Sequence, residues 1–105
     1  MPTPAVTPNS FMMSVTETLA LSLDGSAYLG SGQTVTNPTV TLFNQQTETY
    51  VDGLVDPSLS GNIITQLVRG PTDLIVGCRY LLNANFTAAP SSNVWSMQLV
   101  IVAVP

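Results

Sequence analysis

Cys78 is the only thiol in the chain, and no histidine or lysine accompanies it. Cys–His and Ser–His–Asp centres need an imidazole to take the proton, so neither can form within this chain. Neither is there to activate the thiol, and alternation places Cys78 on a buried strand face, as an inert core thiol. Zinc sites built from His and Cys fail on the same count. Six acids remain: Glu17, Asp24, Glu48, Asp52, Asp56 and Asp73. Glu48, Asp52 and Asp56 recur every fourth residue, which on a helix would stack three carboxylates. Gly53, Pro57 and the β-branched neighbours oppose a helix there. Asp52 and Asp56 offer the oxygens a Ca²⁺ ion wants, yet beside Gly53 and Pro57 they read first as turn-capping side chains. Gly30-Ser31-Gly32 lacks the helix and the Lys that complete a phosphate-cradling loop. The expectation is therefore no catalytic, cofactor or metal site, and no enzyme.

The cations are Arg69 and Arg79 alone. Two cannot neutralise a run of phosphates, so a nucleic-acid partner is not expected. Each flanks an apolar strand. A flat guanidinium anchors interfaces through paired bonds to carboxylates, so both are candidates for salt bridges between subunits. No apolar run approaches the roughly 20 residues of a membrane helix. Met1 to Ser10 has neither the basic nor the apolar region of a secretory signal. Asn85-Phe86-Thr87 fits the glycosylation pattern and, without that signal, is read as chance.

Only 8% of the 105 residues are charged, against about 25% in an ordinary domain. On the surface expected for this mass that is one charge per roughly 700 Å². The hydrophobic share is nevertheless 45% and the mean hydropathy +0.34. The polar residues are neutral: 13 Thr, 10 Ser, 7 Asn and 5 Gln. Neutral groups lose less on desolvation than ions do, provided they find hydrogen bonds. Interfaces deplete Lys, Glu and Asp in the same way. Much of this surface is expected to lie against other subunits.

The elements that would carry that surface are strands. Pro2, Pro4 and Pro8 make residues 1–10 an extended arm, ahead of a sandwich domain at 11–105. Phe11 to Leu23 alternates with period two, with Glu17 as an exception at a bend. Asp24-Gly25 reads as a turn in which Gly supplies a positive φ. A strand at Val35 to Phe43 is interrupted at Asn37-Pro38, and Thr47 to Val51 follows a turn. Asn62 to Arg69 is a β-branched run. Leu74 to Thr87 alternates, with Leu74, Val76, Cys78, Tyr80, Leu82, Ala84 and Phe86 facing one way. Val94 to Val104 places Trp95, Met97, Leu99, Ile101 and Ala103 on one face. Val100, Val102 and Val104 make its second face apolar too, so the arm or a neighbour must cover it. About seven short antiparallel strands, punctuated by Gly, Pro, Asn and Asp, specify an all-β, immunoglobulin-like β-sandwich.

Leu74, Gly77 and Tyr80 carry one specific structural signal. A Tyr at the start of such a strand bonds its hydroxyl to backbone a few residues upstream, a tyrosine corner. The spacing resembles the fibronectin type III corner, with Val76 where that family has Pro. Val35 to Val104 also resembles small immunoglobulin-like proteins of tailed bacteriophage virions. The resembling features are the turn at Ser60-Gly61-Asn62, the Gly77-Cys78-Arg79-Tyr80 corner and the terminal strand from Trp95. Pro90-Ser91-Ser92-Asn93 replaces that group's Ser-Asp-Gly loop.

The resemblance implies a non-enzymatic virion structural protein, assembled in the host cytoplasm. A capsid decoration (cement) protein comes first, with the major capsid protein as partner; a neck or tail adaptor follows. The charge deficit adds self-association. The expected interface residues are Pro4, Pro8 and Phe11 of the arm, the cations Arg69 and Arg79, and the outer valines Val100 and Val102. A carbohydrate- or host-surface-binding module is the other class, for which Trp95, Tyr28 and Tyr50 are the aromatic candidates.

Overall fold

Alternation along the last two strands builds the centre of the molecule. In the computed structural model, which describes residues 9–105, Arg79–Ala89 and Val94–Val104 pair antiparallel, Tyr80 opposite Ile101 and Phe86 opposite Trp95. Numbered along the chain, the strands are β1 (Asn9–Ser14), β2 (Thr18–Asp24), β3 (Thr34–Asn44), β4 (Thr49–Tyr50), β5 (Ser58–Ser60), β6 (Ile63–Arg69), β7 (Arg79–Ala89) and β8 (Val94–Val104). One helical turn, α1 (Gly70–Asp73), follows β6. The sheets run β1-β8-β7-β3-β4 and β2-β6-β5. The chain crosses between sheets after β1, β2, β4 and β6, while β3–β4, β5–β6 and β7–β8 pair within a sheet, and β2-β6-β5 faces β8-β7-β3, the immunoglobulin-type arrangement. The all-β sandwich expected from the sequence is the fold.

The two inner faces meet in one continuous core. Met13, Leu42, Val68, Tyr80, Leu82 and Ile101 cluster towards one end. Val35, Ile64, Ala84, Phe86 and Met97 cluster towards the other, and Leu23 and Val40 touch both groups. Each large apolar side chain buried this way contributes about 1.5–3 kcal/mol.

Several sequence expectations need correction. Phe11 to Leu23 is not one strand. The chain turns at Val15–Glu17, where the Glu17 carboxylate accepts the Ser14 N–H at 2.9 Å, and β1 and β2 join opposite sheets. Met13 of β1 and the odd residues of β2 point at one core, so alternation alone hides the crossing. β1 starts at Asn9, so Asn9 and Ser10 belong to the sandwich; Pro4 and Pro8 lie outside the described residues. β1 pairs parallel with β8, Asn9 opposite Leu99, so the strands are not all antiparallel.

The strand expected from Leu74 begins only at Arg79, and Val76 is half exposed rather than inward. Gly25 has φ −83°, not a positive angle. Its lack of a side chain matters because a Cβ would stand 2.8 Å from Val35 Cγ2. Asp24 does close that turn. Hydrogen bonds from the Ser26 hydroxyl and N–H hold its carboxyl below the ordinary aspartate range. The break at Asn37-Pro38 is a bulge within β3, with Asn37 at φ 52°.

Candidate subunit-binding surface

The outer face of the five-stranded sheet is built by the even residues of β8 and β1, the odd residues of β7 and, past the bulge, Thr39, Thr41 and Phe43 of β3. The register places them in rows across the sheet. Tyr50, Phe43, Leu81, Val100 and Ser10 form one row. Arg79, Val102 and Met12 form the next. On the other side lies a neutral polar row of Thr41, Asn83 and Gln98. Met12 is 72% exposed and Tyr50 64%. Phe43 and Tyr50 meet edge to face with ring centroids 5.0 Å apart. Thr41, Phe43, Tyr50, Leu81, Asn83 and Gln98 line a shallow depression of about 140 Å³. The Asn83 amide donates to Asn85 Oδ1 at 3.3 Å. Asn83 Oδ1 is shut off from solvent and accepts no hydrogen bond.

Of this surface the sequence marked Val100, Val102 and Arg79. Val100 lies at its centre but is itself buried, 9% exposed, between Leu81 of β7 and Ser10 of β1. Its cover comes from flanking strands, not from a second layer. Val102 is half-buried between Arg79 and Met12. The backbone of Phe11 stands opposite Ile101. Phe43, Leu81 and Met12 were missed. Their signal was the register that brings them beside Val100, which periodicity within one strand does not carry.

Arg69 does not serve this face. Its guanidinium pairs with Asp73, four residues on, at 3.2 Å. It also donates to Gly53 O at 2.7 Å, and its backbone N–H donates to Asp73 Oδ2 at 2.8 Å. The salt bridge expected between subunits is therefore internal, tying β6 to α1 and to the loop before β5. Arg79 is exposed and makes no ion pair among the described residues.

The tyrosine corner lies where the sequence placed it. Tyr80 Oη accepts the Ile75 N–H at 2.7 Å and Asn44 Nδ2 at 3.2 Å. Gly77, at φ 85°, turns the corner, and buried Leu74 packs beneath it. Tyr28 and Trp95, two of the aromatic candidates for a glycan platform, are half-buried and pack on each other with ring centroids 5.7 Å apart, with Phe86 6.0 Å from Tyr28. Glu48, Asp52 and Asp56 form no helix. Among the described residues no three metal-ligating side chains come together, and no helix is long and apolar enough to cross a membrane. Cys78 is half-buried against the core rather than fully within it.

The sequence matches no family model, and comparisons with curated proteins and with solved structures find no similar protein.

Proposed function

We propose that this chain is a non-catalytic structural protein of a virion, first of all a capsid cement protein, that works by holding neighbouring subunits together. One observation carries the reading: a wide sheet face with a single charge, Arg79, on which Tyr50, Phe43, Leu81, Val102 and Met12 form a connected apolar patch. Isolated exposed apolar side chains are ordinary, but a contiguous patch on a sheet face marks a contact surface. The face presents no paired acid and base and no deep cleft, so adhesion by area and shape is the chemistry it offers. Each contact is weak, and many copies on a shell sum to a strong hold. The virion setting rests on the resemblance of residues 35–104 to phage immunoglobulin-like proteins.

The test is co-sedimentation of the purified chain with shells assembled from the capsid protein encoded nearby. Binding that saturates, and that Val102→Glu weakens at least tenfold without unfolding the chain, supports the reading. A chain that leaves shells untouched at every concentration removes it.

A further inference from the structure

We propose that the open edge of β8, Val94 to Gln98, seats residues 4–8 of the same chain as a direct continuation of β1. The seat follows from strand register and hydrogen-bond phase, independently of the cement reading.

β1 covers only part of its neighbour. It pairs parallel with Leu99 to Val104, and among the described residues no strand lies beside Val94 to Gln98 on that side. Successive residues of an inner strand turn their backbone groups to its two neighbours in alternation. Ala103 bonds to Cys78 and Gly77, and Asn93 bonds to Ala88, so the odd residues of β8 serve the β7 side. The even ones serve the β1 side, as Val104 does in accepting the Val15 N–H at 2.8 Å. Val94, Ser96 and Gln98 are exposed, and their N–H groups face a side on which no described strand meets them. Such an edge is a template for strand addition.

The residues ahead of Asn9 suit that edge by length and by parity. Asn9 stands opposite Leu99. The register carried backward sets Pro8 opposite Gln98 and Pro4 opposite Val94. The Val15 bond makes the odd residues of this strand the ones that reach β8. Thr7 then donates to the Ser96 carbonyl and accepts the Gln98 N–H. Ala5 donates to the Val94 carbonyl and accepts the Ser96 N–H. Pro2, Pro4 and Pro8 are all even. Each falls where an N–H would point away from the sheet, the place at which an edge strand tolerates proline. A slip of one residue would turn the prolines to β8, where they have no hydrogen to give. Their rings also leave the new edge short of donors, which blunts it against a further strand. Another copy's arm is the alternative occupant, but Asn9 already holds this chain at the start of the edge, with no gap to span.

Docking this way enlarges the outer face. The even residues of β1 lie on it, as exposed Met12 does. Pro4, Val6 and Pro8 join it there, with Pro4 beside Val94, which is 65% exposed. The apolar surface then continues past the polar row of Thr41, Asn83 and Gln98.

Amide hydrogen exchange of the full chain, followed by nuclear magnetic resonance, reads the edge residue by residue. The Ser96 and Gln98 amides should exchange about tenfold more slowly, or slower still, than in a chain lacking residues 1–8, with Val102 unchanged. Two variants, each adding one proline, test the phase. Thr7→Pro sets a ring against the Ser96 carbonyl and should release both amides. Val6→Pro sets it on the solvent side and should leave them protected. The protection should not vary with protein concentration. Equally fast exchange of Ser96 and Gln98 with and without the arm overturns the proposal. So does equal release by both variants, or protection that fades on dilution, which would assign the edge to another copy's arm. No shell enters the measurement, so a failure of shell binding leaves this seat standing, and fast exchange here leaves the cement reading standing.

Discussion

The backbone N–H of Ile75 donates to the hydroxyl oxygen of Tyr80 at 2.7 Å, closing the corner between α1 and β7. The same oxygen accepts from Asn44, whose Oδ1 in turn holds the Gln46 and Thr47 N–H groups of the next turn. Tyr80→Phe keeps the ring and leaves these donors short of an acceptor. The expected loss is about 1–3 kcal/mol, read from urea denaturation near neutral pH.

The corner also fixes a pH dependence. Burial, the largest influence, raises the Tyr80 pKa above the ordinary tyrosine value of about 10. The folded chain therefore holds this proton after the unfolded chain has lost it. Stability from this group is complete below about pH 10 and falls as pH climbs through 10 towards the raised value. Denaturation midpoints from about pH 8 to about pH 11 should decline less steeply in Tyr80→Phe than in the wild type. Equal slopes would remove the linkage.

Gly70 is required by space. Its N–H donates to Glu17 O at 2.7 Å. A Cβ there would stand 2.5 Å from Glu17 O and 2.7 Å from Ser14 O, both backbone atoms. Gly70→Ala must push β1 and β2 away from α1, at a cost of more than about 3 kcal/mol. Thermal unfolding checks this, with Gly53→Ala as a control. Gly53 has open space around it but φ 73°, so the control should lose only about 1 kcal/mol of backbone strain.

Arg69 is a structural cation. Asp73 is wholly buried and Arg69 is about a third exposed, so removing the guanidinium leaves a carboxylate with fewer partners. Arg69→Ala should cost roughly 2 kcal/mol, below the usual range for fully buried pairs because solvent reaches the site. Arg69→Lys should recover little of it, since one ammonium cannot reproduce a fork that bonds Asp73 and Gly53 together. Full recovery by Lys would show that charge alone matters here.

Residues 1–8, ahead of β1, carry the prolines expected of a docking arm. Their removal should leave the melting temperature within a few degrees while weakening shell attachment several-fold. The deletion has to stop short of Asn9, because β1 begins there. Unchanged attachment would assign the hold to the sheet face alone.

Most of the fold was legible because burial enforces parity. The inward residues of β7 and β8 alternate without a slip, and Leu74, Gly77 and Tyr80 announced their corner by spacing; β6 was marked only as a β-branched run, because buried Gln66 interrupts the apolar alternation of its inner face. What stayed hidden depends on partners distant in sequence. Parity cannot show that β1 and β2 lie in opposite sheets, since Met13 of β1 and the odd residues of β2 turn to the same core; Glu17 was the sole sign of the break. The Arg69–Asp73 pair sat in plain view at four-residue spacing, but that spacing joins side chains only across a helical turn, and a single turn opened by Gly70 and Pro71 leaves no periodic trace in the sequence. The apolar face was half visible. Val100 and Val102 marked it, whereas Phe43, Leu81, Met12 and Tyr50 became part of it only through the register between strands.

Cryo-electron microscopy of virions produced from the genome that encodes this chain addresses the central claim most directly. The result expected is many copies per particle, each with Leu81, Val102 and Met12 covered by another protein subunit. Particles that lack the chain, or that carry it with this face open to solvent, would contradict it.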